Sequence, residues 1–289
     1  MKLANEDKGF LALYLDSKYE KPSVTVDAVI FRLINKENKN YRKLPEKKLQ
    51  VFLTKREYPP FKNYFAAVGS FIDLNNELSE SMKLCVKNKV NLDNFYHEQL
   101  FTFGDKSRDP RTRVISISYL LLTNEDSVLS NGEWFDIDLK QINCYKEQKE
   151  NGYSQKQTIN LTLKNENSVL ENELLIELEK NSLEEKKQIQ IKNSTLAFDH
   201  IKIIFYALER LKNKLEYTDI IFNLLPEKFT LTELKQFYEV ILDEKLLDAN
   251  FRRKTSKMVQ ATNEFLTGRG HRSSQLFKHN PNWTMLNLD

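Results

Sequence analysis

The sequence predicts an α+β fold in two parts, and three observations carry that expectation. From Pro22 to about Ile142 strand-like runs surround one helical window, from Lys146 to Ser194 short alternating runs sit between charged turns, and from Leu196 onward the pattern is helical and then briefly extended. The 289 residues exceed the usual single domain, roughly 100–200 residues. Two domains are therefore expected: 1–195, with an extra β segment at about 146–194, and 196–289.

Taken in order, Val24, Val26, Ala28 and Ile30 alternate as a strand does, and Leu49 to Thr54 forms a second run before the break at Tyr58-Pro-Pro60. Tyr64 to Ile72 reads as a third strand. Between Glu77 and Val90 the residues Leu78, Met82, Cys85 and Val86 recur at helical spacing; Val114 to Leu122 is a strongly apolar strand, and Trp134 to Ile142 closes the region. Thr158 to Leu163, Leu174 to Leu178 and Gln188 to Ile191 are further strand candidates. Ile159, Leu161 and Leu163 alternate with polar neighbours, which favours a half-buried hairpin or small sheet extending the first domain over a disordered linker.

Asp199 to Lys212 predicts a long amphipathic helix, with Asp199 placed to cap it, and Tyr217 to Leu225 a shorter helix stopped by Pro226. Thr230 followed by Glu233 makes a capping box, in which hydroxyl and carboxylate satisfy orphan amides of a helix that turns Leu234, Phe237, Tyr238 and Ile241 inward. Asp243-Glu-Lys245 turns the chain. Asp248 is placed to cap a final helix with Leu247, Phe251, Thr255 and Met258 on one face and Arg252, Arg253, Ser256 and Lys257 on the other.

The formal net charge is only +3, yet between Asn250 and Asn280 the cations Arg252, Arg253, Lys254, Lys257, Arg269, Arg272 and Lys278 are opposed by Glu264 alone. Cations so concentrated point to a polyanion. A helix, a turn and a basic helix are followed by the glycine turn Gly268-Arg-Gly-His-Arg272, between extended runs Asn263 to Leu266 and Ser274 to Phe277. This is the order of a winged helix-turn-helix. The residues expected at double-stranded DNA are Arg252, Arg253, Lys254, Lys257, Arg269, His271 and Arg272. Arg253 and Lys257 are best placed for guanine edges, and the wing tip for phosphates or the minor groove. A solvated helix beside an ordinary hairpin, or a surface for an acidic protein, are the competing readings.

No apolar run approaches the roughly 20 residues of a membrane span, and no signal-peptide pattern is visible, so a cytoplasmic location without a membrane partner is expected. Cys85 and Cys144 form neither a disulfide framework nor a zinc spacing and are expected as small core residues.

Tyr64-Phe-Ala-Ala-Val-Gly-Ser-Phe-Ile72 followed by a helix resembles the start of a Nudix box, G-x5-E-x7-R-E-U-x-E-E-x-G-U with U apolar. With Ser70 at the box glycine, Asn76 falls at the first glutamate, Leu84 and Cys85 at the Arg-Glu pair, Asn88 and Lys89 at the paired glutamates, and Asn91 at the final glycine. Nudix hydrolysis needs those helix carboxylates on one face to hold Mg²⁺ against a pyrophosphate. Here Lys89 brings a cation to that place, while Glu77 and Glu80 stand at the helix start, where they offset its dipole. Neither catalytic residues nor a metal site is expected.

Further motifs widen the likeness. Gln99-Leu-Phe-Thr-Phe-Gly104, Arg108-Asp-Pro-Arg-Thr-Arg-Val114, Leu196-Ala-Phe-Asp-His200, Phe229-Thr-Leu-Thr-Glu-Leu234 and Asn250-Phe-Arg-Arg-Lys254 occur in order. With Tyr19-Glu-Lys-Pro-Ser-Val-Thr-Val-Asp27 they make the chain resemble the Nudix-related transcriptional regulators called the NrtR family, from about Tyr19 to Lys278. Val68 and Ser70 depart from that pattern, which usually has Pro and Gly there. The resemblance implies an N-terminal Nudix-like α/β/α sandwich with a mixed sheet, binding a small-molecule effector such as ADP-ribose or a related nucleotide or phosphorylated sugar, with no cofactor. It also implies a C-terminal winged helix-turn-helix that binds a palindromic operator as a homodimer, in repressors of NAD or sugar metabolism genes. The rival is a Nudix hydrolase acting on ADP-ribose or another nucleoside diphosphate derivative, with its metal site rearranged onto Glu77, Glu80 or Glu98.

A pyrophosphate held without metal needs Arg, Lys or backbone amides. Arg56 at the end of the second strand, with Arg111 and Arg113 before the apolar strand, are the candidates, and Phe71, Phe103 and Phe65 are candidates to stack on a base. Each phenylalanine also suits the core, and Arg108-Asp-Pro-Arg111 also suits an ion pair within its own loop. His200 stands where the first domain hands over to the second, the expected place for coupling or for a structural histidine.

Overall fold

The computed structural model describes residues 20–36, 45–125, 131–266 and 273–284. Most of the expected elements are present, and several strands, among them the first two and those at about 146–194, are longer than periodicity alone marks. Strands β1 (Ser23–Lys36), β2 (Glu46–Lys55), β3 (Phe65–Ala66) and β4 (Val68–Phe71) precede helix α1 (Leu78–Val90), and β5 (Tyr96–Phe103) and β6 (Val114–Leu122) follow it. Four long strands come next: β7 (Gly132–Lys149), β8 (Gly152–Lys164), β9 (Val169–Asn181) and β10 (Glu185–Asn193). The chain then forms α2 (His200–Tyr217), a 3-10 turn (Ile220–Leu224), α3 (Leu231–Leu242), α4 (Asp248–Thr255) and the hairpin β11 (Val259–Leu266) and β12 (Ser274–His279).

One sheet runs in the order β10-β9-β8-β7-β2-β1-β6-β5, with β3 on β2 and β4 on β1. It is mixed because β1 and β6 are parallel whereas their other partners run antiparallel. Period-two alternation divides its apolar residues between two layers. Val26, Ala28, Ile30, Val68 and Leu121 face α1 through Met82, Val86 and Val90. Val29, Phe31, Val51, Leu53, Leu120 and Phe135 lie on the other side with Ile201, Ile204, Phe205, Leu208 and Leu211 of α2. This is the α/β/α sandwich, and the second core cluster is the larger, continuing into the C-terminal helices.

The segment at about 146–194 is continuous with the main sheet. Ile159, Leu161, Leu163, Leu174, Ile176 and Ile189 belong to the same cluster as α2. The expected boundary at 195/196 assigns α2 to the DNA-facing part, although its apolar face is buried on the sheet. Lys47 of β2 reaches α3 from the sheet: its side chain is 1% exposed, 3.7 Å from Glu233, and lies over the Phe237 ring at 4.6 Å.

Several local expectations change. Tyr64 to Ile72 is two short strands, because the Ala67 amide leaves the ladder and donates to Nδ1 of His200 at 2.9 Å. The region around Gln99, for which the sequence predicts no element, is a strand, β5, paired antiparallel with β6. Helix α2 runs on to Tyr217, where Thr218 ends it with its hydroxyl on the Lys214 carbonyl at 2.7 Å. Too few residues remain before Pro226 for an α-helix, so Tyr217 to Leu225 yields only the 3-10 turn. Asp199 occupies the N-cap position without capping, and Leu247 rather than Asp248 is the N-cap of α4. Leu247 is itself 73% exposed, outside the buried face formed by Phe251, Thr255 and Met258. Cys85 is buried as expected, but Cys144 is exposed.

Candidate functional site

The Nudix-type scaffold is intact around α1, and its local geometry follows from its sequence. Asn91, at the final glycine of the box, takes the left-handed conformation (φ 56°) that terminates α1, a backbone state asparagine tolerates. Glu77 and Glu80 form a reciprocal capping box, the Glu77 amide donating to Oε2 of Glu80 at 3.2 Å. Their carboxylates are thus engaged at the helix start. Further along α1, Asn88 and Lys89 line a cavity of about 640 Å³ bounded by β1, β2, β4, the Arg108 loop and the segment before α2. That volume suits a nucleotide-sized ligand.

The structure gathers Arg56, Phe71 and Arg111 in the wall of this cavity. Arg56 donates from Nε to the Pro60 carbonyl at 2.9 Å and stacks over the Phe198 ring at 4.7 Å. Its pKa is lowered, first by burial and then by the neighbouring charge of Arg111. Arg111 lies 5.6 Å from the Phe71 ring and 5.8 Å from the Phe198 ring. It also forks onto Asp109 at 3.0 and 2.7 Å. Burial pushes the Asp109 carboxyl up, and the hydrogen bonds from Arg111 bring it below its ordinary value; Arg111 rises correspondingly through that same contact. The loop ion pair and the presence at the cavity are both true of Arg111. Two guanidiniums between aromatic faces form a surface for phosphate and a flat base.

Phe103 and Arg113 are not in the wall. Phe103 is buried beside Phe101 and Tyr206, and Arg113 is exposed next to Gly104. Phe65 is buried against Phe135. Sequence reasoning overlooked Phe198, Asp27 and the role of Arg108. Phe198 has φ 54°, an unusual state for an aromatic residue. Nothing local in the sequence signals that its ring meets Arg56.

Beneath the cavity is a buried polar junction. Arg108, 8% exposed, forks onto Asp199 with Nε at 3.0 Å and Nη2 at 2.8 Å, and lies 3.7 Å from Asp27. Asp27 also accepts the Ser116 hydroxyl and the Thr25 hydroxyl. His200 is buried, its Nε2 4.0 Å from Asp27. Its Nδ1 accepts from the Ala67 amide, so the proton of the neutral ring sits on Nε2. Burial lowers its pKa, outweighing the pull of Asp27 and Asp199. A larger cleft of about 750 Å³ between β2, β7 and α3 is a weaker anion site. Of its five lysines, Lys47, Lys48 and Lys245 are paired with Glu233, Glu46 and Glu239, and Asp136, Asp138, Asp243 and Glu244 line it beside Lys164 and Lys212.

At the other end, α3 begins with the anticipated capping box, Glu233 N donating to Thr230 Oγ1 at 3.1 Å and Thr230 N to Glu233 at 2.9 Å. Phe251, Thr255 and Met258 are buried beneath α4, leaving Arg252, Arg253, Lys254 and Lys257 on the outer surface. Lys254 leans over the Tyr238 ring at 5.5 Å, and its pKa is lowered by burial. β11 and β12 pair antiparallel as a wing. Its tip, with Arg269, His271 and Arg272, lies outside the described residues.

Fold and site together define a class: a Nudix-like sandwich with an anion-suited cavity, joined through a shared core to a winged helix with a basic outer face. Residues 221–279 match the family model described as the NrtR DNA-binding winged helix domain. Over 281 residues, 95% of this chain and 88% of the relative, the sequence is 28% identical to the "ADPR responsive transcriptional repressor NtrR" of Acinetobacter baylyi. Among solved structures, a MutT/nudix family protein from Enterococcus faecalis is similar with a TM-score of 0.66 at 24% identity, covering 96% of this chain and 94% of that one. Shewanella oneidensis NrtR complexed with a 27mer DNA is similar with a TM-score of 0.59 at 24% identity, covering 89% and 94%. The C-terminal part thus matches an NrtR-type DNA-binding winged helix domain, and the chain as a whole is similar to Nudix-related transcriptional regulators of the NrtR kind.

Proposed function

We propose that this protein is a repressor that binds a palindromic operator as a homodimer in the cytoplasm and is released by ADP-ribose or a closely related nucleotide sugar. The carrying observation is the cavity in which Arg56 and Arg111 meet Phe71 and Phe198. Guanidiniums suit the diphosphate and ring faces suit the adenine. The similarity to the ADPR-responsive repressor of Acinetobacter baylyi supports that choice of ligand. Control of NAD metabolism genes fits such an effector. No hydrolysis is proposed, because Asn88 and Lys89 stand in the cavity wall where hydrolysis needs carboxylates.

Arg108 and His200 tie the cavity to the start of α2, whose far end leads into the winged helix. A ligand that competes for Arg108 or shifts Ala67 would act on α2 directly. By linkage it must weaken DNA binding by the factor that DNA weakens effector binding, a coupling of roughly 1–3 kcal/mol.

The test is fluorescence anisotropy on a palindrome from the DNA upstream of the encoding gene. The wild type is expected to bind with a steep salt dependence and to be released by ADP-ribose, while Arg253→Ala with Lys257→Ala is expected to lose most operator affinity. Retained affinity in that double variant would favour the protein-docking reading. Metal-dependent release of AMP from ADP-ribose at ordinary enzymatic turnover would restore the hydrolase.

A further inference from the structure

We propose that Lys89 is a built-in cation for the ligand's diphosphate, so that the cavity binds its effector without a divalent metal. This rests on the reading of the cavity as a nucleotide-sugar site and adds how its charge is neutralised. The Nudix scaffold implies a metal held by carboxylates of α1, and the residues present do not fit one. Among the described residues no group of three His, Cys, Asp or Glu side chains is arranged to hold a metal ion.

The carboxylates in the cavity wall are Asp27, Glu57 and Asp109, and each is engaged. Asp27 takes the hydroxyls of Ser116 and Thr25 and faces Arg108; Asp109 takes the Arg111 fork; Glu57 accepts the Asn131 amide at 2.7 Å. A hard divalent ion needs several free oxygens around it. Here it would meet an ammonium instead.

Lys89 is positioned to take over the ion's electrostatic role. Its ammonium crosses from the last turn of α1 to the Gly69 carbonyl on β4, within the cavity lining. That contact uses one of three donors. No carboxylate of the described residues lies within ion-pair distance of Lys89, in contrast to Lys87 on the same turn, which pairs with Asp93 at 2.9 Å. The close approach of β4 is itself fixed, since a Cβ at Gly69 would fall 1.9 Å from Oδ1 of Asp27. Among the described residues Lys89 thus has no carboxylate partner at the cavity wall, and Arg56 and Arg111 line the same cavity.

Isothermal titration with ADP-ribose and, separately, with inorganic pyrophosphate tests this on the full-length protein in EDTA and in Mg²⁺. Wild-type affinity is expected to be equal in both buffers. Lys89→Met is expected to bind both ligands about tenfold more weakly or worse, and Lys89→Arg to retain most of the affinity. Lys89 is exposed, so all three proteins should unfold at the same temperature; Lys89→Gln substitutes if Lys89→Met does not. Tenfold tightening by Mg²⁺ in the wild type, or wild-type affinity in Lys89→Met, would overturn the proposal. Metal-free pyrophosphate binding that depends on Lys89, without ADP-ribose binding, would sink only the choice of effector. Binding of neither ligand by the wild type would overturn both.

Discussion

The fork of Arg108 onto Asp199 is 5% and 12% exposed at the two side chains. Its contribution lies in what its loss would leave behind, an unpaired guanidinium in the protein interior. Asp199→Asn keeps the shape and removes the charge; with Asp27 3.7 Å away to soften the loss, a destabilisation of about 3 kcal/mol is expected. It should be read as a lower urea midpoint at unchanged slope. His200 supplies a pH test. Its pKa is lowered by burial, so the unfolded ring, with an ordinary pKa near about 6.5, takes up a proton before the folded one does. The stability it contributes is complete above that pH and is lost as pH falls from there towards the lowered folded value. His200→Asn, which keeps an acceptor for the Ala67 amide, should flatten the fall in melting temperature between pH 7.5 and 5.5. An unchanged slope would mean that other groups set it.

Elements were read well from sequence where the signal was local. The capping box at Thr230 is such a signal, and Thr230→Ala is expected to cost about 1 kcal/mol, visible as a lower thermal midpoint. β6 matched from end to end, because a buried strand displays its apolar run openly. β5 went unmarked, since Tyr96–Phe103 is only intermittently buried and gives a weak alternation. The third strand was misjudged for a non-local reason. Its break at Ala67 is made by His200, 133 residues later. Phe103 suits base stacking by its type, yet the packing of β5 on α2 gives its ring to Tyr206.

At the scale of the whole molecule, α2 is shared property. One side of it covers the sheet from β10 to β5, and the chain beyond it forms the winged helix, so sensing and DNA-binding parts share one core. A fragment 1–195 would leave Ile159, Leu161, Leu163, Leu174 and Ile189 uncovered and is expected to aggregate or bind a hydrophobic dye. A fragment 1–218, which keeps α2, should stay soluble and folded by circular dichroism and size-exclusion chromatography. If 1–195 folds alone, the domain boundary lies before α2 and coupling through a shared core is wrong.

The sequence by itself determined the mixed α+β pattern, the capping box at Thr230, the basic outer face of α4 and the replacement of the box glutamates by Asn88 and Lys89. These are properties of residue type and short-range period, which a chain carries whatever it packs against. Only the tertiary structure decided that Arg56 and Arg111 share a cavity with Phe198, that Arg113 and Phe103 do not line it, and that Arg108 holds Asp199. It also decided that Lys89 reaches Gly69. A cavity wall is built from segments far apart in the chain, and its members are chosen by strand order and helix docking, which no local period records.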